Sequence, residues 1–144
     1  MSALRRVVFD TSSLVGAALR LGSVPHRALA QALSAGDLCA SAATLAELEQ
    51  VLLRPKFDRY QLRDVRMEFA ALLRRQVHLF DVSEADEANA QPLCRDPKDN
   101  KFLALSKVCD ADALISSDAD LLVMHPWQGV QILTPAAFVA LART

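Results

Sequence analysis

Arg5-Arg6-Val7-Val8-Phe9-Asp10-Thr11-Ser12-Ser13 is the stretch on which the fold turns. Three consecutive apolar residues suit a short strand buried on both faces. The acid and hydroxyl residues that follow form a helix-start signal ahead of the small and apolar run from Leu14 to Leu21. Strand, turn and helix are therefore expected in the first twenty residues.

The same alternation continues outward. Gly22-Ser23 breaks the first helix, and Pro25 suits the first turn of a second one reaching Ala35, with Ala28, Leu29, Ala32 and Leu33 inward. Asp37 to Ser41 reads as a second strand. A third helix, Ala42 to Leu53, carries Leu45, Leu48 and Leu52 on one stripe and stops at Pro55. Leu62, Val65, Phe69, Leu72 and Leu73 mark a fourth helix within Gln61 to Gln76, before a third strand from Val77 to Val82. An acidic linker, Ser83 to Pro97, leads to a fifth helix from Asp99 to Cys109. Ala113 to Ser116 and Val130 to Leu133 are further strands, with a helical turn at Ala119 to Leu122 between them and a last helix from Pro135 to Ala142. Short strands separated by helices imply an α/β fold with a parallel sheet covered on both faces.

Composition agrees. The chain has 144 residues, enough for one domain that buries roughly two thirds of its unfolded surface. Its 24 alanines and 23 leucines, against 12 valines and two isoleucines, disfavour an all-β architecture. Cys39, Cys94 and Cys109 are odd in number and far apart, as expected of reduced thiols in a cytoplasmic protein. Leu121 to Ala142 lacks charge, yet its prolines, Gly129 and glutamines are incompatible with a membrane span. The glycines at 16, 22, 36 and 129 build no phosphate loop, and neither G-x-S-x-G nor H-E-x-x-H occurs. His26, His78 and His125 are too dispersed for a histidine-based mechanism.

The net charge of −1 hides a segregation. Arg54 to Arg75 is a basic arm with a local charge of +4, and Gln76 to Asp99 is an acidic connector with −4. Taken alone, the arm is a solvated helix face with i, i+4 pairs.

In open α/β sheets, ligands lie beyond the carboxyl ends of the strands. Asp10 and Asp118 follow strands directly, Asp99 begins a helix, and Glu47 rides on the flank of the third helix. Helix N-capping is the competing reading for each aspartate, and a solvated flank for Glu47. Hydroxyl neighbours suited to orienting ligands stand beside the strand-end acids: Thr11 and Ser12 next to Asp10, and Ser116 and Ser117 before Asp118. Carboxylates gathered without a cation repel one another, so such a cluster points to Mg²⁺ or Mn²⁺ and a phosphate-ester substrate. A receiver-like phosphoaspartyl domain built on Asp10 and Asp81 is the rival from another class. It lacks the Lys-Pro expected where Leu133-Thr134-Pro135 stands.

Four segments carry a resemblance: Val7-Val8-Phe9-Asp10-Thr11-Ser12, then Ala43-Thr44-Leu45-Ala46-Glu47-Leu48 running into Arg54-Pro55-Lys56-Phe57, then Arg95-Asp96-Pro97-Lys98-Asp99-Asn100, and Leu114-Ile115-Ser116-Ser117-Asp118-Ala119-Asp120-Leu121-Leu122. Each is short, but their order and spacing together resemble the PIN-domain family, and within it the toxin ribonucleases of bacterial toxin-antitoxin pairs. The resemblance implies a three-layer fold with a central parallel sheet of four or five strands, occupying residues 1–144 as one nuclease domain. It implies an endoribonuclease that uses Mg²⁺ or Mn²⁺ and leaves 5′-phosphate and 3′-hydroxyl ends. Asp10, Glu47, Asp99 and Asp118 match the family's four acids. On that likeness Asp10, Asp99 and Asp118 hold one ion, and Glu47 holds a second or orients water. Periodicity does not choose between Glu47 and Glu49; the family pattern selects Glu47. Thr11, Ser12 and Ser116 would orient ligands, with Asp96 and Asp120 either supporting or ligating. Ser116 stands where Thr is commoner, Ser12 where Asn is frequent and Ser117 where Gly is frequent.

The basic arm, through Arg54, Lys56 and Arg59, then becomes a contact for RNA or for an acidic segment of an antitoxin. An RNA substrate, a cognate antitoxin, a homodimer and a cytoplasmic location without membrane contact follow as expectations. A non-catalytic PIN-fold module that binds RNA or protein is the alternative. Four intact acids argue against it.

Overall fold

Parallel pairing of five short strands organises the molecule. The computed structural model describes residues 4–142, and its strands are β1 (Arg6–Phe9), β2 (Asp37–Ala40), β3 (His78–Leu79), β4 (Ala113–Ile115) and β5 (Gln131–Leu133). The helices are α1 (Thr11–Leu19), α2 (Val24–Ala35), α3 (Ala42–Leu52), α4 (Arg63–Gln76), α5 (Glu84–Asn89), α6 (Asn100–Val108), α7 (Ala119–Leu122) and α8 (Pro135–Ala142). The sheet order is β3-β2-β1-β4-β5, every pair parallel, with Val7 opposite both Leu38 and Ala113. The α/β expectation is therefore met, with five strands.

Alternation along β1 divides the core. Val7 and Phe9 face a cluster with α1, α2, α3, α4 and α8, in which the Phe9 and Phe138 rings meet edge-on at 6.4 Å. Val8 points to the opposite layer, where α6, Leu121 and Trp127 cover Leu114 and Ile132. Val7, Val8, Leu114 and Ile115 are wholly buried. Each contributes about 1.5–3 kcal/mol relative to an exposed side chain.

One close approach needs a glycine. A Cβ at Gly36 would lie 2.1 Å from the Arg5 carbonyl oxygen, the atom that accepts from Asp37 N–H at 2.7 Å as β2 begins. At the same amino-terminal edge, Asp112 Oδ2 accepts from the Arg5 and Arg6 amides at 3.0 and 2.9 Å. The Arg6 guanidinium donates to the Cys109 carbonyl at 2.8 Å.

Apart from shifts of one or two residues at other element ends, the structure departs from the sequence reading around β3, α5 and the start of α6. The strand expected over Val77 to Val82 is reduced to His78–Leu79, both exposed, because β3 is an edge strand with little to bury. The segment read as an acidic linker contains α5. Ser83 accepts from the Asp86 amide and Asp86 from the Ser83 amide, a capping box that starts the helix, and the acids of its first turn complement its dipole. The fifth helix begins one residue later than expected, at Asn100, after a 3₁₀ turn over Pro97–Asp99.

Candidate active site

Strand order changes direction at the centre of this sheet. From β1 the chain proceeds to β2 and β3 on one side, and from β4 to β5 on the other. The crevice between β1 and β4 is thus the topological switch point, where open α/β sheets take their ligands. The Asp10 amide donates to the Ile115 carbonyl at 3.0 Å, and the Ser116 amide to the Leu133 carbonyl at 2.9 Å. These bonds set Asp10 and Ser116 at the carboxyl ends of adjacent strands.

The two residues are joined through side chains. Asp10 is 3% exposed. Its Oδ1 accepts from the Ser13 amide at 2.9 Å, capping α1, and its Oδ2 accepts from Ser116 Oγ at 2.5 Å. Ser116 Oγ in turn accepts from the Asp118 amide at 2.9 Å. A fully buried hydroxyl therefore fixes both the Asp10 carboxylate and the backbone of Asp118. Burial raises the Asp10 pKa against the opposing pull of the Ser116 and Ser13 hydrogen bonds, and the Asp118 charge raises it further.

Capping explains part of this arrangement and fails for one residue. Asp10 caps α1, Asp118 Oδ1 accepts from the Asp120 amide at 2.9 Å, and Asp96 Oδ1 accepts from the Lys98 amide at 3.0 Å. Asp99 precedes α6 yet makes no capping bond, and its buried Oδ2 has no hydrogen-bond partner. Burial and the facing Asp118 carboxylate, with further charge from Asp96 and Asp10, push its pKa up to about 7. Two ionised carboxylates cannot hydrogen-bond to each other. A proton or a cation between Asp99 and Asp118 would relieve their repulsion.

Glu47 stands apart from this group. Its Oε2 lies 2.6 Å from Lys101 Nζ, both side chains being about three quarters buried. Glu47 lines a groove of about 290 Å³ with Thr11, Ser12, Arg54, Lys56 and Phe57. The Thr11 hydroxyl is buried there without a protein partner. Arg59 lies outside the lining, its guanidinium 5.3 Å from the Tyr60 ring centre. Among the described residues, no three His, Cys, Asp or Glu side chains are gathered closely enough to hold a metal ion as they stand.

The basic arm is not one surface. Arg66 is wholly buried, donating to the Leu52 carbonyl at 2.8 Å, the Gln61 carbonyl at 2.7 Å and Asp58 Oδ1 at 2.9 Å. Arg74 is paired with Glu49 at 2.6 Å. Sequence reasoning missed Lys101, and also Asn100, whose Oδ1 accepts from the Cys94 amide at 2.7 Å and ties the loop carrying Asp96 to the start of α6. The Lys98-Asp99-Asn100-Lys101 run offered only a polar helix start as a signal.

The family model described as "PIN domain" matches residues 6–120. No curated protein matches the sequence. PAE2754 from Pyrobaculum aerophilum is similar over all of both chains, with 14% identity and a TM-score of 0.64. VapBC2 from Rickettsia felis, solved bound to a DNA fragment from its promoter, has 11% identity and a TM-score of 0.63, covering 88% of this chain and 96% of that one. Mycobacterium tuberculosis VapC20, described as a Sarcin-Ricin loop cleaving toxin, has 16% identity and a TM-score of 0.58 over 87% of this chain and 98% of its own. At such identities the likeness is one of fold. With a family model running from β1 past the acid that follows β4, the chain belongs to the PIN domain family.

Proposed function

We propose that this chain is a divalent-metal-dependent endoribonuclease, acting as a single domain over residues 1–144 and serving as the toxin of a toxin-antitoxin pair. The observation that carries the reading is the unpartnered, buried Oδ2 of Asp99 against Asp118 at the sheet's switch point, beside a buried Asp10. That donor set is all oxygen and rich in negative charge, which fits a hard cation such as Mg²⁺ or Mn²⁺. Asp10, Asp99 and Asp118 would hold the ion, with small side-chain rotations to close the set. A bound ion of this class supplies Lewis-acid polarisation of a phosphate ester and acidifies water.

The protein's own part is orientation and attraction. Ser116 holds Asp10 and the Asp118 backbone in one arrangement, as partners behind metal ligands do. Asp96 and Asp120 flank the ligands at the Asp99 and Asp118 turns. Thr11 and Ser12, whose hydroxyls suit orienting the ligands, line the same groove as Arg54 and Lys56, whose positive charge offsets the acids and draws in a polyanion. Arg59, close in sequence to Arg54 and Lys56, is a further basic contact for RNA or antitoxin in this reading. The named neighbours VapBC2 and VapC20 support the toxin-antitoxin setting and RNA as substrate. An apolar groove between α2 and α4, lined by Leu29, Leu33, Phe69 and Leu72, supports a protein partner, as antitoxin or second copy. No described helix is long and apolar enough to cross a membrane, and a cytoplasmic site of action suits the three unpaired thiols.

RNA cleavage with and without EDTA, beside Asp10→Asn and Asp118→Asn, tests this directly. Loss of cleavage in all three cases is expected. Cleavage that survives the chelator and both substitutions would overturn the assignment.

A further inference from the structure

An aromatic ring stands on a fixed turn in the groove beside the acids. Phe57 closes the 3₁₀ turn Pro55–Phe57. Its amide donates to the Arg54 carbonyl at 3.1 Å, and its carbonyl accepts from the Tyr60 and Gln61 amides at 3.0 and 3.1 Å. The side chain packs against the core cluster that holds Leu48 and Leu52 and also lines the groove of about 290 Å³. Ordering this ring for a ligand therefore costs little. The Lys56 ammonium lies over it, 5.2 Å from the centroid, so the ring presents a π-face and not only an edge.

The rest of the groove suits a nucleotide. Val15 and Val51 extend its apolar lining, and Arg54 and Lys56 bring two positive charges, neither paired with a carboxylate among the described residues. Thr11 and Ser12, in the same lining, directly follow Asp10. A phosphate held at the aspartates would thus have its adjoining nucleoside at the groove, which has room for one. Aromatic side chains take single-stranded bases by stacking, and a base inside a duplex has no free face to offer.

We infer that this groove seats one unpaired nucleotide next to the phosphate being cleaved, with Phe57 as the residue on which its base stacks. The inference rests on the ribonuclease reading above and adds to it a residue that selects the substrate. Arg54 and Lys56 serve the backbone of either RNA form, whereas Phe57 favours RNA whose base is free to leave its neighbours.

Fluorescence anisotropy tests it on the full chain carrying Asp118→Asn to block cleavage. The probes are a fluorescein-labelled single-stranded RNA of mixed sequence and the duplex of that strand with its complement. The single strand should bind more tightly than the duplex. Adding Phe57→Leu should weaken single-strand binding about tenfold and leave duplex binding unchanged, while Phe57→Tyr, which keeps the ring, retains the preference. A ring with only a packing role would not move the ratio of the two affinities. Arg54→Met should weaken both forms and lower the salt dependence for the single strand by about 0.7 in log–log slope. Equal affinity for both forms, or a folded Phe57→Leu chain that keeps its preference, overturns the inference. Should Phe57→Leu fail to fold, a strand of equal length whose central nucleotides lack bases decides: binding about tenfold weaker than the ordinary strand supports the stacking, and equal binding overturns it. A chain that binds neither RNA form overturns the RNA reading and this inference with it; single-strand binding that is indifferent to Phe57 overturns this inference alone.

Discussion

Asp112 and Asp99 lie at opposite ends of the same parallel sheet, and their second carboxylate oxygens meet opposite fates. At the amino-terminal edge, Asp112 Oδ2 accepts two backbone amides and stitches β4 to the start of β1. At the carboxyl edge, Asp99 Oδ2 is buried and accepts none. A hydrogen-bonded acid stabilises the fold, whereas a buried acid without a partner costs stability and persists where something outside the chain completes it. The two edges thus separate acids that build the structure from acids held ready for chemistry.

Substitutions should divide along the same line. The largest effect is expected from Asp10→Asn or Asp118→Asn, each lowering RNA cleavage by more than about 100-fold, beyond what removing a ligand's hydrogen-bond partner does. Melting of the chelated Asp118→Asn protein should stay level or rise, since one of the mutually repelling charges is gone while Oδ1 still accepts from the Asp120 amide. Arg66→Met should do the reverse. It strips partners from the Leu52 and Gln61 carbonyls and should cost about 3 kcal/mol in urea unfolding, leaving the ratio of cleavage to folded protein unchanged.

Smaller effects probe the links between these groups. Ser116→Ala should lower cleavage and Mn²⁺ affinity about tenfold, and Ser116→Thr should restore both. Asp112→Ala should lose about 1 kcal/mol of stability with full cleavage. An Asp112 variant that loses cleavage while remaining folded would break the division between the two edges.

How much of this was legible beforehand follows from where the information resides. β1 with Asp10, α3 with its leucine stripe, and β4 followed by Ser116 and Asp118 were readable because contiguous apolar runs end in strong turn and cap signals. α5 escaped because its six residues, Glu84–Asn89, bury none of their side chains and have no apolar stripe, although Ser83 and Asp86 are spaced as a capping box. Arg66 is read as a surface charge by residue type, yet three hydrogen bonds that it donates to the Leu52 and Gln61 carbonyls and to Asp58 let it be fully buried. The Glu47–Lys101 pair joins residues 54 apart, a distance over which no local spacing rule operates. Residue type and position offered the strand-end aspartates, and the family resemblance selected Glu47 over Glu49; which of the acids is already paired depends on how α3 and α6 pack.

The central claim is that the carboxyl edge carries charge which a cation must complete, and the pH dependence of folding tests it most directly. Asp99 is raised from 3.8 to about 7, so the folded state holds its proton more tightly than the unfolded chain. Its contribution favours folding below about pH 4 and is lost progressively as pH rises to about 7. In EDTA, the stability of the wild-type chain relative to Asp99→Asn should therefore fall across that window. With Mn²⁺, which binds the ionised site and is linked to folding, wild-type stability should recover above pH 7 while Asp99→Asn does not respond. Identical wild-type profiles with and without Mn²⁺, or an Asp99→Asn profile indistinguishable from wild type, would contradict the account.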